Sequence, residues 1–168
     1  MQNRILAALA LAPLAACATV PALEAGAERI SFSAEPCYGF CPAFEVTAGA
    51  DGEGRYEGRS SVKVTGARQF SVTPEEFAAF RDRLAPYRPA QDVRYDHENC
   101  DAPLATDMPA VQVIWREANG RSTTLDWYMG CAQPGLAENR EAIYGAWREL
   151  PLEELVGADS ERQGYARP

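Results

Sequence analysis

The sequence predicts an α+β domain: a mostly antiparallel sheet built from hairpins, two helices packed on one of its faces, and disulfide bracing. Three observations carry this reading. Several short segments alternate apolar and polar residues and are separated by Asp51-Gly52 and Asn119-Gly120, the turn dipeptides of hairpins. Two segments change to helical spacing, and the first opens on Thr73-Pro74-Glu75-Glu76, a strong helix start. Four cysteines, Cys37, Cys41, Cys100 and Cys131, follow the N-terminal segment.

In chain order, Glu28 to Ser33 places Ile30 and Phe32 on one face and Arg29, Ser31 and Ser33 on the other, as in a half-buried strand. Glu35 to Pro42 is a turn. Ala43 to Ala48 alternates again, and Gly54 to Gly58 returns with Tyr56. Val62 to Val64 and Arg68 to Val72 continue the strand pattern. Phe77, Phe80 and Leu84 share one face of the first helix, which Pro86 and Pro89 end. Ala90 to Pro109 shows no clear periodicity, and a loop this long is usually functional or flexible. Cys100 is expected to pin it. Ala110 to Arg116 and Arg121 to Tyr128 form the next hairpin, with Trp115, Leu125 and Trp127 inward. Tyr128 and Ile114 fall on the other face, to be covered by the helices or else to expose an apolar patch. Leu136, Ile143, Trp147 and Leu150 mark the second helix, and Leu152 to Val156 adds a turn.

The chain begins with a polar stretch containing Arg4, followed by an apolar run from Ile5 to Ala16. That run is too short to cross a bilayer, which takes about 20 residues as a helix, and it suits the apolar middle of a signal peptide. It ends Leu14-Ala15-Ala16-Cys17, which resembles the lipobox of bacterial lipoprotein precursors. The resemblance implies cleavage before Cys17, which would then carry acyl chains and become the new N-terminus. Each buried methylene contributes roughly 0.8 kcal/mol, so several chains make the attachment effectively permanent. The competing readings are a plain secretory signal cut near Ala16 or Ala18, and a buried core helix. Ala18 rather than Asp after the cysteine implies, by the same resemblance, the outer membrane. The domain organisation is then a signal peptide over 1–16, a tether over 17–27, one α+β domain over 28–156 and a flexible polar tail over 157–168. The setting is the cell envelope, facing the periplasm. The partners are the membrane through the lipid and an envelope protein.

The formal net charge is −8, and loss of Arg4 makes it one unit more negative. An acidic domain is a poor fit to nucleic acid or to anionic lipid surfaces. Lipidation of Cys17 leaves an even set of cysteines, which in an exported chain reads as two disulfides. Four cysteines allow three connectivities, and spacing favours Cys37–Cys41 with Cys100–Cys131.

Cys37-Tyr38-Gly39-Phe40-Cys41-Pro42-Ala43-Phe44 resembles the signature of an uncharacterised bacterial family, Cys-Phe/Tyr-Gly-x-Cys-Pro-x-Tyr/Phe after a first strand. Asp51-Gly52, Tyr56-Glu57-Gly58, Gly66, the Phe77–Leu84 helix and Thr106-Asp107-Met108-Pro109 fit its downstream pattern. The resemblance covers roughly residues 28–130. It implies a domain of unknown function found in exported proteins, and no catalytic residues come with it.

Tests for chemistry favour a structural reading throughout. Cys37 and Cys41 are separated by three residues, where redox pairs have two. One close cysteine pair, two distant cysteines and His97 make a poor zinc set in an oxidising compartment. His97, the only histidine, stands in Asp96-His97-Glu98 with no Gly-x-Ser-x-Gly nucleophile motif, and reads as a solvated loop residue. Asp107 is the carboxylate with the most distinctive context, and that context reads as a turn cap. No catalytic residue, metal or cofactor is therefore expected. The leading expectation is a binding or structural module. The alternative is an envelope enzyme, through thiol–disulfide exchange at Cys37–Cys41 or acid-dependent hydrolysis at Asp107.

Overall fold

The computed structural model describes residues 26–162. Cys17, the segment read as a signal peptide and most of the segment read as a tether lie outside them. Seven strands form one sheet in the order β4-β3-β2-β1-β6-β7-β5. Strands β1 (Arg29–Ala34), β2 (Ala43–Gly49), β3 (Glu53–Ser60) and β4 (Gly66–Ser71) form an antiparallel meander. β6 (Ala110–Arg116) pairs with the other side of β1, and β7 (Ser122–Tyr128) with β6, both antiparallel. β5 (Val93–Tyr95) adds to β7 in parallel. The α+β class and the mostly antiparallel sheet are as the alternation predicts.

Every inward residue of the alternating strands is buried: Ile30, Phe32, Phe44, Val46, Tyr56, Val111, Val113, Trp115, Leu125 and Trp127. They meet Phe77, Phe80 and Leu84 of helix α1 (Pro74–Leu84) and Ile143, Trp147 and Leu150 from the chain that follows the sheet. Phe44 lies at the centre of this layer, edge-on to Trp147 with ring centroids 5.7 Å apart and beside Phe32 and Tyr56. Full burial of each such side chain contributes about 1.5–3 kcal/mol. Arg83 of α1 donates to Ala142 O at 2.9 Å and to Glu149 at 2.7 Å, joining the two helical segments across the core.

The capping box at the start of α1 forms as its sequence predicts. Glu76 N donates to Thr73 Oγ1 at 3.2 Å, and Thr73 N donates to the Glu76 carboxylate at 2.8 Å. Thr73→Ala is expected to lower stability by about 1 kcal/mol in urea denaturation, with the native spectrum unchanged.

Four local expectations are corrected. Val62 to Val64 is a bend, because Val62 drops into the core while Lys63 N and Val64 N bond Val156 O and Leu155 O instead of a strand. The loop before β6 holds the three-residue β5, too short for alternation to reveal. The second helix is broken into a 3-10 turn (Ala137–Asn139), α2 (Arg140–Tyr144) and a further 3-10 turn (Ala146–Glu149). Gly145 ends α2, and glycine disfavours a helix interior by about 1 kcal/mol relative to Ala. Part of the expected tail is structured: after α3 (Glu153–Val156), Asp159–Glu161 forms a 3-10 turn, and Glu161 pairs with Lys63 at 3.2 Å.

The helices cover one face only. The other face presents polar rows across the sheet, for instance Gln69, Arg55, Thr47, Ser31, Ile114 and Thr124 in register. Ile114 is the one apolar member of that row. Neither Ile114 nor Tyr128 is covered by a helix.

At the Asn119-Gly120 turn, Glu117 accepts from Arg121, Arg88 and Asn119. Those bonds, Arg121 first, hold its carboxyl down to about 2. The folded value lies below the unfolded one, so the unfolded chain binds the extra proton between them. This contribution is complete above about pH 4.5 and is lost as pH falls towards 2. Thermal unfolding followed from pH 6 to pH 2 is expected to show a steep decline, and Glu117→Gln a shallower one over the same window.

Candidate functional site

The two ends of the sheet differ. At one end the chain arrives at Arg29 beside two short hairpin turns, because Arg29 is in register with Gly49 and Arg116. The opposite end, where β1 finishes at Ala34, gathers both disulfides and the unusual backbone.

Glu35 N still donates to Ala110 O at 2.9 Å as the chain leaves β1. Cys37 then bonds Cys41, with Cα atoms 5.5 Å apart. Gly39 sits at φ +142°, a conformation open to glycine, which lets so short a loop close. Pro42 is buried and delivers the chain into β2. A loop this small cannot fold its own side chains inward. Tyr38 is 89% exposed and Phe40 45%.

The second disulfide joins Cys100 to Cys131, with Cα atoms 5.8 Å apart. It fixes the loop after β5 against the end of β7. Ala105 N donates to Gly130 O, Met129 N to Pro109 O and Ala132 N to Pro103 O, all at 2.8–2.9 Å. Gly130 is required there: a Cβ on it would stand 2.2 Å from Ala105 O. Trp127 Nε1 donates to Cys131 O at 2.9 Å, tying the buried cysteine to the core. This strap exposes Leu104. Tyr38, Phe40 and Leu104 are the exposed large hydrophobics among the described residues, and all three lie at this end.

The backbone here also carries strain. Among the described residues, the two non-glycines with positive φ are Ser61, just past β3, and Asp107, at +66°. Such positions cost of order 1–3 kcal/mol and persist where the surroundings over-determine them. Asp107 is exposed, and its carboxylate accepts from Thr106 Oγ1 at 3.2 Å. Beside Ser61, the Tyr56 hydroxyl donates to Val64 O at 3.1 Å and to Leu155 O at 3.4 Å. Burial pushes that phenol up to about 12, so it stays a donor at any ordinary pH.

The sequence-predicted residues fall as follows. The structure pairs Cys37 with Cys41 and Cys100 with Cys131, the connectivity that spacing favours. His97 is exposed, and its ring lies tilted against Tyr128 with centroids 4.3 Å apart, while Tyr128 Oη accepts from Met108 N at 3.3 Å. Tyr128 is thus covered by the loop after β5, in place of the expected helices. Asp96 caps that loop, accepting from Glu98 N, Asn99 N and Asn99 Nδ2 at 2.9–3.0 Å. These bonds, the Glu98 N–H first, hold its carboxyl below the usual range. Asp107, His97 and the cysteines share one end of the sheet without forming a nucleophile–base pair: the cysteines are bonded to each other as disulfides and the imidazole packs on Tyr128.

Sequence reasoning named the cysteines and Asp107 but missed the surface they share. The available signal was the length of the Cys-Tyr-Gly-Phe-Cys loop, too short to bury two aromatic rings.

No curated protein and no solved structure matches the chain. Residues 28–146 match the family described as domain of unknown function DUF6438, a stretch that contains all seven strands, both disulfides and the exposed loop between Cys37 and Cys41. That match spans well over half of the sequence, and the chain belongs to the DUF6438 family.

Proposed function

We propose that this domain is a binding module of the bacterial cell envelope, held to a membrane by lipid on Cys17, which grips a protein partner with the disulfide end of its sheet. The observation that carries the reading is the exposure of Tyr38 and Phe40 on a disulfide-closed loop, with Leu104 at the same end. Rigid aromatic side chains lose little entropy on binding and dominate contact energies. A surface that keeps two of them out of its core on a covalently braced loop, with the aliphatic Leu104 at the same end, supports a contact role. The lipid anchor rests on Leu14-Ala15-Ala16-Cys17, and Ala18 favours the outer membrane. The eight residues Cys37 to Phe44 would then be the family's recognition feature.

Crosslinking pull-down from intact envelopes tests the reading. A partner recovered with the wild type is expected to be lost with Tyr38→Ser and Phe40→Ser together, while Cys17→Ser abolishes fatty-acid labelling. Equal recovery with the double variant would sink the contact role. The alternative, thiol–disulfide exchange, is favoured by one observation: Cys37 and Cys41 are only partly buried. It requires a reduction potential near that of the envelope, which thiol titration measures directly.

A further inference from the structure

Asn119-Gly120 turns the chain from β6 into β7, and the same dipeptide carries a chemistry of its own. Glycine has no Cβ, so its amide nitrogen can approach the side-chain carbon of a preceding asparagine. Both residues are exposed, and no atom lies within 4 Å of where a Cβ on Gly120 would stand. Nothing in the described chain shields the pair from water or from each other.

Glu117 holds both reacting groups. Its backbone carbonyl accepts from Gly120 N at 2.9 Å, and its carboxylate accepts from Asn119 Nδ2 at 3.0 Å. Asn119 Oδ1 accepts from Arg121 N at 2.9 Å, so the amide is fixed at both ends. The Glu117 carboxylate is itself held by Arg88 at 2.8 Å and Arg121 at 2.7 Å. Ring closure requires Gly120 N to release its proton and the amide to turn towards that nitrogen, and each movement breaks a bond to Glu117. The other turn at this end of the sheet gives a contrast. Asp51-Gly52 has the same spacing, but Asp51 is a carboxylate, ion-paired with Arg29 and accepting from Glu53 N at 3.2 Å. A carboxylate resists attack by an amide nitrogen, whereas a carboxamide can release ammonia.

We propose that Asn119 is a deamidation site whose rate Glu117 restrains. Gly120 N loses its proton and bonds Asn119 Cγ, the Cγ–Nδ2 bond breaks, and ammonia leaves a succinimide behind. Water then opens the ring at either carbonyl, giving an aspartyl or isoaspartyl residue and one added negative charge. The new carboxylate stands where Nδ2 donated to Glu117, and two like charges so placed repel.

The test incubates the full chain at mildly alkaline pH and physiological temperature. After digestion, the peptide containing position 119 is followed by mass spectrometry and by an isoaspartate assay. The folded wild type is expected to convert slowly at this position. Glu117→Ala is expected to convert about ten-fold faster, as for loss of one charge-assisted hydrogen bond. Glu117→Gln keeps a weaker acceptor and is expected to fall between the two. Asp51 in the same digest reports general loosening of the fold, and its isomerisation is expected to stay at the wild-type rate in both variants. Equal rates at position 119 in the wild type and both variants would overturn the restraint by Glu117. A rise at Asp51 in step with position 119, in Glu117→Gln as well as Glu117→Ala, would assign the change to loosening and overturn it too. No conversion at position 119 in any of the three proteins would overturn the site itself.

Discussion

Replacing Cys100 and Cys131 together by alanine is expected to lower the unfolding free energy by about 3–4 kcal/mol. The bridge spans 31 residues, and closing a loop of that length restricts the unfolded chain strongly. The backbone at position 131 stays in place without the bridge, because Trp127 Nε1 donates to its carbonyl and Gly130 packs against Ala105 O. The Cys37–Cys41 bridge spans only 4 residues, so its removal costs nearer 2 kcal/mol by the same relation. Urea denaturation under non-reducing conditions measures both. The longer bridge should also change the slope of the transition, since the unfolded chain without it exposes more surface. A loss below about 1 kcal/mol for the Cys100–Cys131 variant would mean that the strap holds without its covalent bond.

The second large effect concerns binding. Tyr38→Ser is expected to weaken the partner complex by about 2 kcal/mol or more, roughly thirty-fold, as for a central aromatic contact. The same substitution should leave stability within about 0.5 kcal/mol, because Tyr38 is 89% exposed and braces nothing in the core. Affinity measured on the isolated complex is expected to fall while the unfolding midpoint stays. A matching fall in both would make Tyr38 a structural residue.

The sheet was legible because its inward face repeats without error. Ile30 and Phe32, Phe44 and Val46, and Val111 and Val113 are all inward and all buried. The capped helix was legible because Thr73, Pro74 and Glu76 each serve a specific unpaired backbone group or fixed dihedral. What stayed hidden depended on tertiary contact. Val62 reads as a strand residue, yet burial beneath Leu155 and Val156 bends the chain at Ser61. β5 contributes three residues to a parallel pair whose partner residues lie 32 positions later, and no local pattern reports that. Helical spacing from Leu136 to Leu150 correctly marks the buried face, but Gly145 breaks the helix that would carry it. For the site, the disulfide pairs were readable from spacing. The gathering of both bridges, Asp107 and Leu104 at one end was not, because it follows from β1 running between two strands that the sequence separates by sixty residues.

The most direct test of the binding role compares two ends of one molecule. A photo-crosslinking amino acid is placed at position 38, on the disulfide end, or at position 118, in the turn at the Arg29 end. After irradiation of intact envelopes, position 38 is expected to yield a discrete protein adduct and position 118 none of the same mass. The same adduct at both positions, or only at position 118, would contradict the assignment of the disulfide end as the contact surface.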